Sequence, residues 1–384
     1  MDFNLDETQR EIADLAREVL GREPDPATSW KALGRAGLLT LAVPEDLGGA
    51  GLGVLETAVV LAEVGRVTAA VPALETLALG VLPVARTGTD HQRRELLTAV
   101  ADGAVLTAAL HEPSAPMPTA PRTAAAPASD GDGWTVSGTV LGVRSAAEAY
   151  RVLVPASLGG RGVGVLLVDP TAPGVSLTPT RSSAALPEAT LRLDGVRVGR
   201  AGLLGADDTG RVLAELYRSA LVGACAVGDG VLAGALELTA AHLRTREQFG
   251  RPLATFQAVA QQVADVYLAS RTLHLASLAA CWALDSAARN LGAATAADPA
   301  NNPGADPANS SHAAPDEDSD DVDVAGYWLA EQALPALHTC QHLHGGLGMD
   351  IGYPLHRHYA WGRDLARFVG GVDHRLEAIA CIPS

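Results

Sequence analysis

The apolar pattern of this 384-residue chain changes period twice, and that succession restricts the open architectures more than any single motif does. Between Leu5 and Val105 the spacing is helical: Ile12, Leu15, Ala16 and Val19 recur at i, i+3, i+4 and i+7, and later stretches repeat it. After Leu106 the runs shorten to β-type lengths, Trp134 to Val140, Tyr150 to Val154, Val163 to Val168, Val175 to Thr178 and Ala189 to Val198, parted by Gly, Pro and Asp. From Val212 long helices return. One is expected from Arg218 to Arg246, stopping at Phe249-Gly250-Arg251-Pro252 with Gly250 as its C-terminal cap. A second carries Val259, Val263, Val266 and Tyr267 on one stripe, and a third runs from Val324 to His342 and ends at Gly345-Gly346. The expectation is an α+β fold: an N-terminal helical domain over 1–106, a middle antiparallel β-domain over 107–208 and a C-terminal helical bundle over 209–384. The length agrees, because 384 residues exceed what one hydrophobic core usually organises.

Two glycine clusters imitate nucleotide loops. Gly48-Gly49-Ala50-Gly51 follows no clear strand of a βαβ unit, so a loop packing near another domain is the better reading. Gly160, Gly162 and Gly164 precede a strand instead of opening a helix, which fits a hairpin.

Charge and composition exclude several classes. The net charge is -16, and no stripe of Lys and Arg offers itself to phosphate, which argues against nucleic-acid binding. Half of that charge comes from eight acidic residues between Asn290 and Asp323, a segment without Lys or Arg and otherwise rich in Ala, Asn, Pro, Ser and Gly. Such a composition buries too little apolar surface to offset ordering entropy, so 290–323 is expected to be a disordered insertion, with an acidic docking tail as the alternative. No uninterrupted apolar run approaches the roughly 20 residues of a membrane span. The start Met1-Asp2-Phe3-Asn4-Leu5-Asp6 lacks a basic and an apolar region, so a soluble, cytoplasmic chain is expected. Cys225, Cys281, Cys340 and Cys381 are scattered, which favours reduced thiols over disulfides or zinc. His338 and His342 could share a helix face and bind a metal, but no carboxylate or thiol is well placed to complete such a site.

Three segments carry the functional signal: Ala42-Val43-Pro44-Glu45-Asp46-Leu47-Gly48-Gly49-Ala50-Gly51, Arg246 through Gln257 (REQFGRPLATFQ), and His342-Leu343-His344-Gly345-Gly346-Leu347-Gly348 followed by Tyr353-Pro354-Leu355. An Arg, a Gln and amides freed by glycine suit an anionic diphosphate. In order and spacing, over the whole chain, the three segments resemble the acyl-CoA dehydrogenase family. That resemblance implies FAD as cofactor, with Arg246, Gln248, Phe249 and Gln257 reaching across a dimer interface to the neighbouring subunit's flavin. It also places His342, Gly345 and Gly346 beside the same diphosphate, although the family usually has Gln where this chain has His342.

The resemblance implies α,β-dehydrogenation of an acyl-CoA thioester: a carboxylate removes the α-proton while the β-hydride passes to the flavin. Counted from Tyr353-Pro354, the usual Glu position is Val369, and the alternative position before the Arg turn is Ala220, so no catalytic residue is assigned. Asp373 is the substitute acid a self-sufficient homomeric enzyme would use. In the middle domain His111-Glu112-Pro113-Ser114 keeps part of a family motif, and Gly142 stands where a flavin-packing Trp is usual. What is missing serves a chain's own flavin, and what remains serves its neighbour's. The expectation is therefore the base-lacking partner of a second dehydrogenase-like chain in a heterotetramer. Steroid-type or other bulky acyl-CoA esters are its candidate substrates, and an electron-transfer flavoprotein is its candidate acceptor. A flavin-free assembly protein on the same fold is the alternative from another class.

Overall fold

The computed structural model describes residues 3–22, 25–129, 131–296 and 317–380. Helix α1 (Glu7–Arg22) opens on a reciprocal cap: Asp6 accepts from the Gln9 amide at 2.8 Å, and the Asp6 amide donates back to Gln9 Oε1 at 3.0 Å. Its buried face is Ile12, Ala13, Ala16 and Leu20. Leu15 is exposed, so the expected stripe is turned by about one residue, because the 3.6 period permits either neighbouring face and tertiary packing chooses. Helices α2 (Pro26–Arg35) and α3 (Val54–Arg66) follow, then a buried π-helical stretch, Leu74–Val81, that continues into α4 (Leu82–Thr87), and then α5 (Asp90–Ala101).

The middle segment forms β1 (Val105–Ala108), β2 (His111–Glu112), β3 (Ala115–Pro116), β4 (Ala124–Pro127), β5 (Trp134–Arg144), β6 (Ala149–Ser157), β7 (Val163–Val168), β8 (Val175–Arg181) and β9 (Pro187–Val198). Every strand expected from the sequence is present. The sheet is mixed, however, not purely antiparallel: β1 and β4 both pair with β6 in parallel, which the period-2 pattern does not encode. β5 and β9 run antiparallel from Trp134↔Val198 to Arg144↔Glu188, with a register shift between Val140 and Val143 where Gly142 sits at φ +59°. The Gly159–Gly162 stretch makes the turn between β6 and β7, as its glycines suggested.

The C-terminal segment comprises α6 (Arg211–Thr245), the hairpin strands β10 (Glu247–Gln248) and β11 (Arg251–Pro252), α7 (Gln257–Ala296), α8 (Glu317–His344), α9 (Leu355–Phe368) and α10 (Gly371–Ala380). α6 is long and apolar enough to cross a membrane, contrary to the reading of the sequence, but most of that stretch is buried inside the protein, as in a core helix. It also ends earlier than expected. Gly250 is not its cap: Phe249 (φ +53°) and Gly250 (φ +79°) form the two-residue loop joining β10 to β11, the type I′ geometry a tight hairpin favours. On α7 the stripe is narrower than expected, with Val266 buried and Tyr267 exposed. The acidic insertion is also narrower, since α7 runs to Ala296 and α8 begins at Glu317; acidic residues at a helix N-terminus oppose its positive pole favourably. Its central part, 297–316, lies outside the described residues, as does Cys381.

One continuous apolar core unites helices of the N-terminal and C-terminal segments with the near side of the sheet, and a second lies within the sheet. The Gly48–Gly51 loop leads into the join between the helical segments: the Val54 amide at the start of α3 donates to both Asp285 oxygens on α7 at 3.1 Å. Cys225, Cys281 and Cys340 are free and buried.

Candidate functional site

The residues named for an anion gather at one end of α6 and α8. Arg246 follows the last residue of α6 in extended conformation (φ −77°, ψ 122°), and its carbonyl accepts from Leu253 at 2.8 Å, closing the base of the hairpin. Arg246, Gln248 and Gln257 are exposed, and Phe249 at the hairpin tip is 93% exposed. Arg251 lies over the Phe256 ring, 4.1 Å from its centroid, and Phe249 meets Phe256 edge-on at 6.2 Å. An arm ending in a bare aromatic ring suits docking against another chain.

The second turn lies alongside. His342, Gly345 and Gly346 are exposed, Gly345 has φ +60°, and a Cβ at either glycine would point into open space. The two turns are joined by a pair the sequence reading did not single out: the rings of His242 and His344 stack at 4.4 Å with an interplanar angle of 20°. His338, considered for a metal, bonds Tyr359 Oη at 2.7 Å and stacks on that ring. Among the described residues, no group of three or more His, Cys, Asp or Glu could hold a metal ion.

The interior positions tell a different story. Glu112 is buried and accepts from the Arg122 amide (2.8 Å), the Thr123 amide (2.6 Å) and the Thr123 hydroxyl (2.7 Å), so it folds its own loop. His111 Nε2 donates to the Phe368 carbonyl at 2.7 Å, and burial pushes its pKa down to about 4. Gly142 is half-buried, and a Cβ there would stand 3.0 Å from Arg367 Nη1 and 3.5 Å from Glu188 Oε2. Arg367 bonds Glu188 at 2.5 Å and Asp364 at 3.0 Å. Behind them Arg144 pairs with Asp364, faces Glu75 at 3.8 Å and Glu188 at 4.0 Å, and lies 5.2 Å from the Phe368 ring centroid. The sequence held one signal of this buried network, an Arg following apolar Val143 at the end of a strand; its partners Glu75, Glu188 and Asp364 are 69, 44 and 220 residues away in sequence.

A cavity of about 590 Å³ is lined by the 114–119 loop, by Tyr217, Arg218 and Leu221 of α6, and by His374, Arg375 and Glu377 of α10, and none of Val369, Ala220 and Asp373 is among its lining residues. Val369 and Ala220 are fully buried. Asp373 is exposed in the first turn of α10 and is not among the lining residues, so the structure does not bring it to this cavity. The carboxylates that line it are Asp323, paired with Arg375 at 3.1 Å, and Glu377.

Comparison with known proteins bears on the family and the fold. The family models for the acyl-CoA dehydrogenase N-terminal domain and C-terminal domain match residues 6–104 and 209–299. Acyl-CoA dehydrogenase FadE28 of Mycobacterium tuberculosis is 41% identical over 99% of this chain and 98% of its own length. Acyl-CoA dehydrogenase FadE27 of the same organism is 32% identical over 99% and 98%. Among solved structures, the Tcur3481–Tcur3483 steroid ACAD superposes with a TM-score of 0.83 at 35% identity, covering 98% of this chain and 97% of that one. The ChsE4–ChsE5 complex from Mycobacterium tuberculosis superposes with a TM-score of 0.83 at 29% identity over the full length of both. With its helical, mixed-sheet and helical segments and these relatives, the chain belongs to the acyl-CoA dehydrogenase family, whose members are FAD-dependent oxidoreductases.

Proposed function

We propose that this chain is the base-lacking partner of a heteromeric FAD-dependent acyl-CoA dehydrogenase, contributing half of an active site whose other half belongs to a second dehydrogenase-like chain. The observation that carries the reading is the contrast between the two regions. Gly142 offers no ring to pack on a flavin, and the groups nearest its side-chain position are the charged ends of Arg367 and Glu188, backed by Arg144, which supports the loss of a flavin-packing site there. The outward-facing Arg246, Gln248, Phe249, Gln257, His342, Gly345 and Gly346 do fit a diphosphate presented from outside the chain: one fixed cation, an amide side chain, and glycines with open space beside them. Apolar Val369 and Ala220 at the base positions support the same division of labour.

FAD, when bound, supplies the two-electron acceptor. This chain's contribution is to hold its diphosphate with Arg246 and the two turns, and to place Phe249 against the neighbouring subunit. The names of two similar structures, a steroid ACAD and a two-protein complex, support a bulky, steroid-type acyl-CoA as substrate and a heterotetramer as assembly. An electron-transfer flavoprotein is the acceptor we assign, on the family resemblance. Coexpression with a second dehydrogenase-like chain that carries the Glu should give a yellow complex with one FAD per pair of chains, and Arg246→Ala should lower that FAD content. A chain that purifies alone with FAD and reduces an acceptor on addition of acyl-CoA would overturn the reading.

A further inference from the structure

The hairpin and the glycine turn can hold one diphosphate only if their separation is held, and nothing within either segment fixes it. Among the described residues, the ring-to-ring contact between the helices that carry them is the His242–His344 stack. His242 occupies the last turn of α6, and its carbonyl accepts from the Arg246 amide at 2.8 Å. His344 ends α8 and immediately precedes Gly345. It is 5% exposed, so its orientation is set by its partners. Its Nδ1 lies 2.8 Å from the Cys340 carbonyl, which can only accept, so Nδ1 carries the proton. Its Nε2 lies 3.2 Å from the Tyr353 hydroxyl, and the Leu238 carbonyl of α6 also faces the ring. The Tyr353 ring closes on the same imidazole at 5.2 Å, adding the chain that leads into α9.

We propose that His344 is a positioning residue for flavin binding: stacked on His242 and tethered to Cys340 and Tyr353, it holds the Arg246–Gln248 hairpin and the Gly345–Gly346 turn at the spacing a shared diphosphate needs. The inference rests on the reading of those turns as flavin contacts, and it goes beyond it by assigning a role to residues that do not touch the cofactor. The stacked faces are the acting feature, so an aromatic ring without nitrogens substitutes for the imidazole while a short side chain does not.

The test is a double-mutant cycle on the coexpressed heteromer, stripped of flavin and titrated with FAD by flavin fluorescence. His344→Ala and His242→Ala should each weaken FAD binding about tenfold, and the double variant no further, because one contact is removed either way. His344→Phe should stay within about threefold of the parent protein, and the KM for acyl-CoA should be unchanged in all of them. His344→Leu replaces His344→Ala should the latter not assemble. Additive single effects, a Phe variant as weak as the Ala variant, or single variants within about twofold of the parent would each refute the inference. Arg246→Ala runs alongside: if it weakens FAD binding while His344→Ala does not, only the positioning role fails, and if it too has no effect, the flavin assignment of the turns fails first.

Discussion

Replacing Arg144 by Met tests whether the charges beside Gly142 form one cooperative plug. Three carboxylates, Glu75, Glu188 and Asp364, are each at most 6% exposed in their side chains and face two guanidiniums, Arg144 and Arg367. If all ionise the cluster carries one excess negative charge. Burial pushes the Glu75 carboxyl up, and burial also raises Glu188, so the excess is relieved by a retained proton. Arg144→Met leaves three buried carboxylates with Arg367 alone, whose side chain is 46% exposed. Breaking a buried pair from one side typically costs about 3–5 kcal/mol, because the abandoned charge keeps its desolvation penalty. The sign with pH follows from the raised carboxyls. Their protonated forms favour the fold, so that contribution is complete below about pH 4.5 and is lost as pH rises through the raised folded values. Removing Arg144 raises them further, so the variant should lose the full amount at pH 8 and markedly less at pH 5. Urea unfolding followed by tryptophan fluorescence and far-UV circular dichroism reads both, provided the two probes coincide. Adding Asp364→Asn should recover part of the loss, since the pair is then removed from both sides. A loss under about 1 kcal/mol at both pH values, or a double variant no better than the single, refutes the claim that the plug acts as a unit.

Other outcomes follow from particular contacts. His111 is held neutral by burial, with its pKa pushed down to about 4, so it contributes stability above pH 6.5 that is lost as pH falls from 6.5 towards 4, ~3 kcal/mol in all; His111→Asn should flatten that slope of the acid unfolding curve. Asp285→Ala removes the acceptor of the Val54 amide and should cost about 1–2 kcal/mol in urea, with Asp285→Asn costing less; equal losses would show that the cap is not the cause. Asp373→Asn should leave heteromer turnover within about twofold, because Asp373 is exposed and off the cavity; abolished turnover with FAD retained would restore it as the base. Phe249→Ala should weaken assembly with the partner chain by roughly tenfold or more, measured by dilution on a sizing column, as expected for an aromatic anchor.

The succession of helices, sheet and helices was legible because side-chain period is a local property: a strand such as Val163–Val168 or a helix such as α1 writes its burial pattern into a few consecutive residues. The segments assigned to the diphosphate, Arg246 through Gln257 and His342 through Gly346, could be picked out for a similar reason, since each is contiguous. Limits appeared wherever two distant segments decide together. Whether α1 turns Leu15 or Ala13 inward depends on what packs against it, and the parallel pairing of β1 and β4 with β6 depends on chain crossings that no local pattern records. Gly250 looked like a helix cap because glycine serves a helix end and a type I′ turn equally well, and only the pairing of Gln248 with Arg251 distinguishes them. From the sequence alone one learns that Gly142 lacks a ring. That its place is filled by Arg367 and Glu188, and that His242 and His344 bind the two turns into one surface, was decided by the tertiary structure, because those contacts join residues more than 40 positions apart.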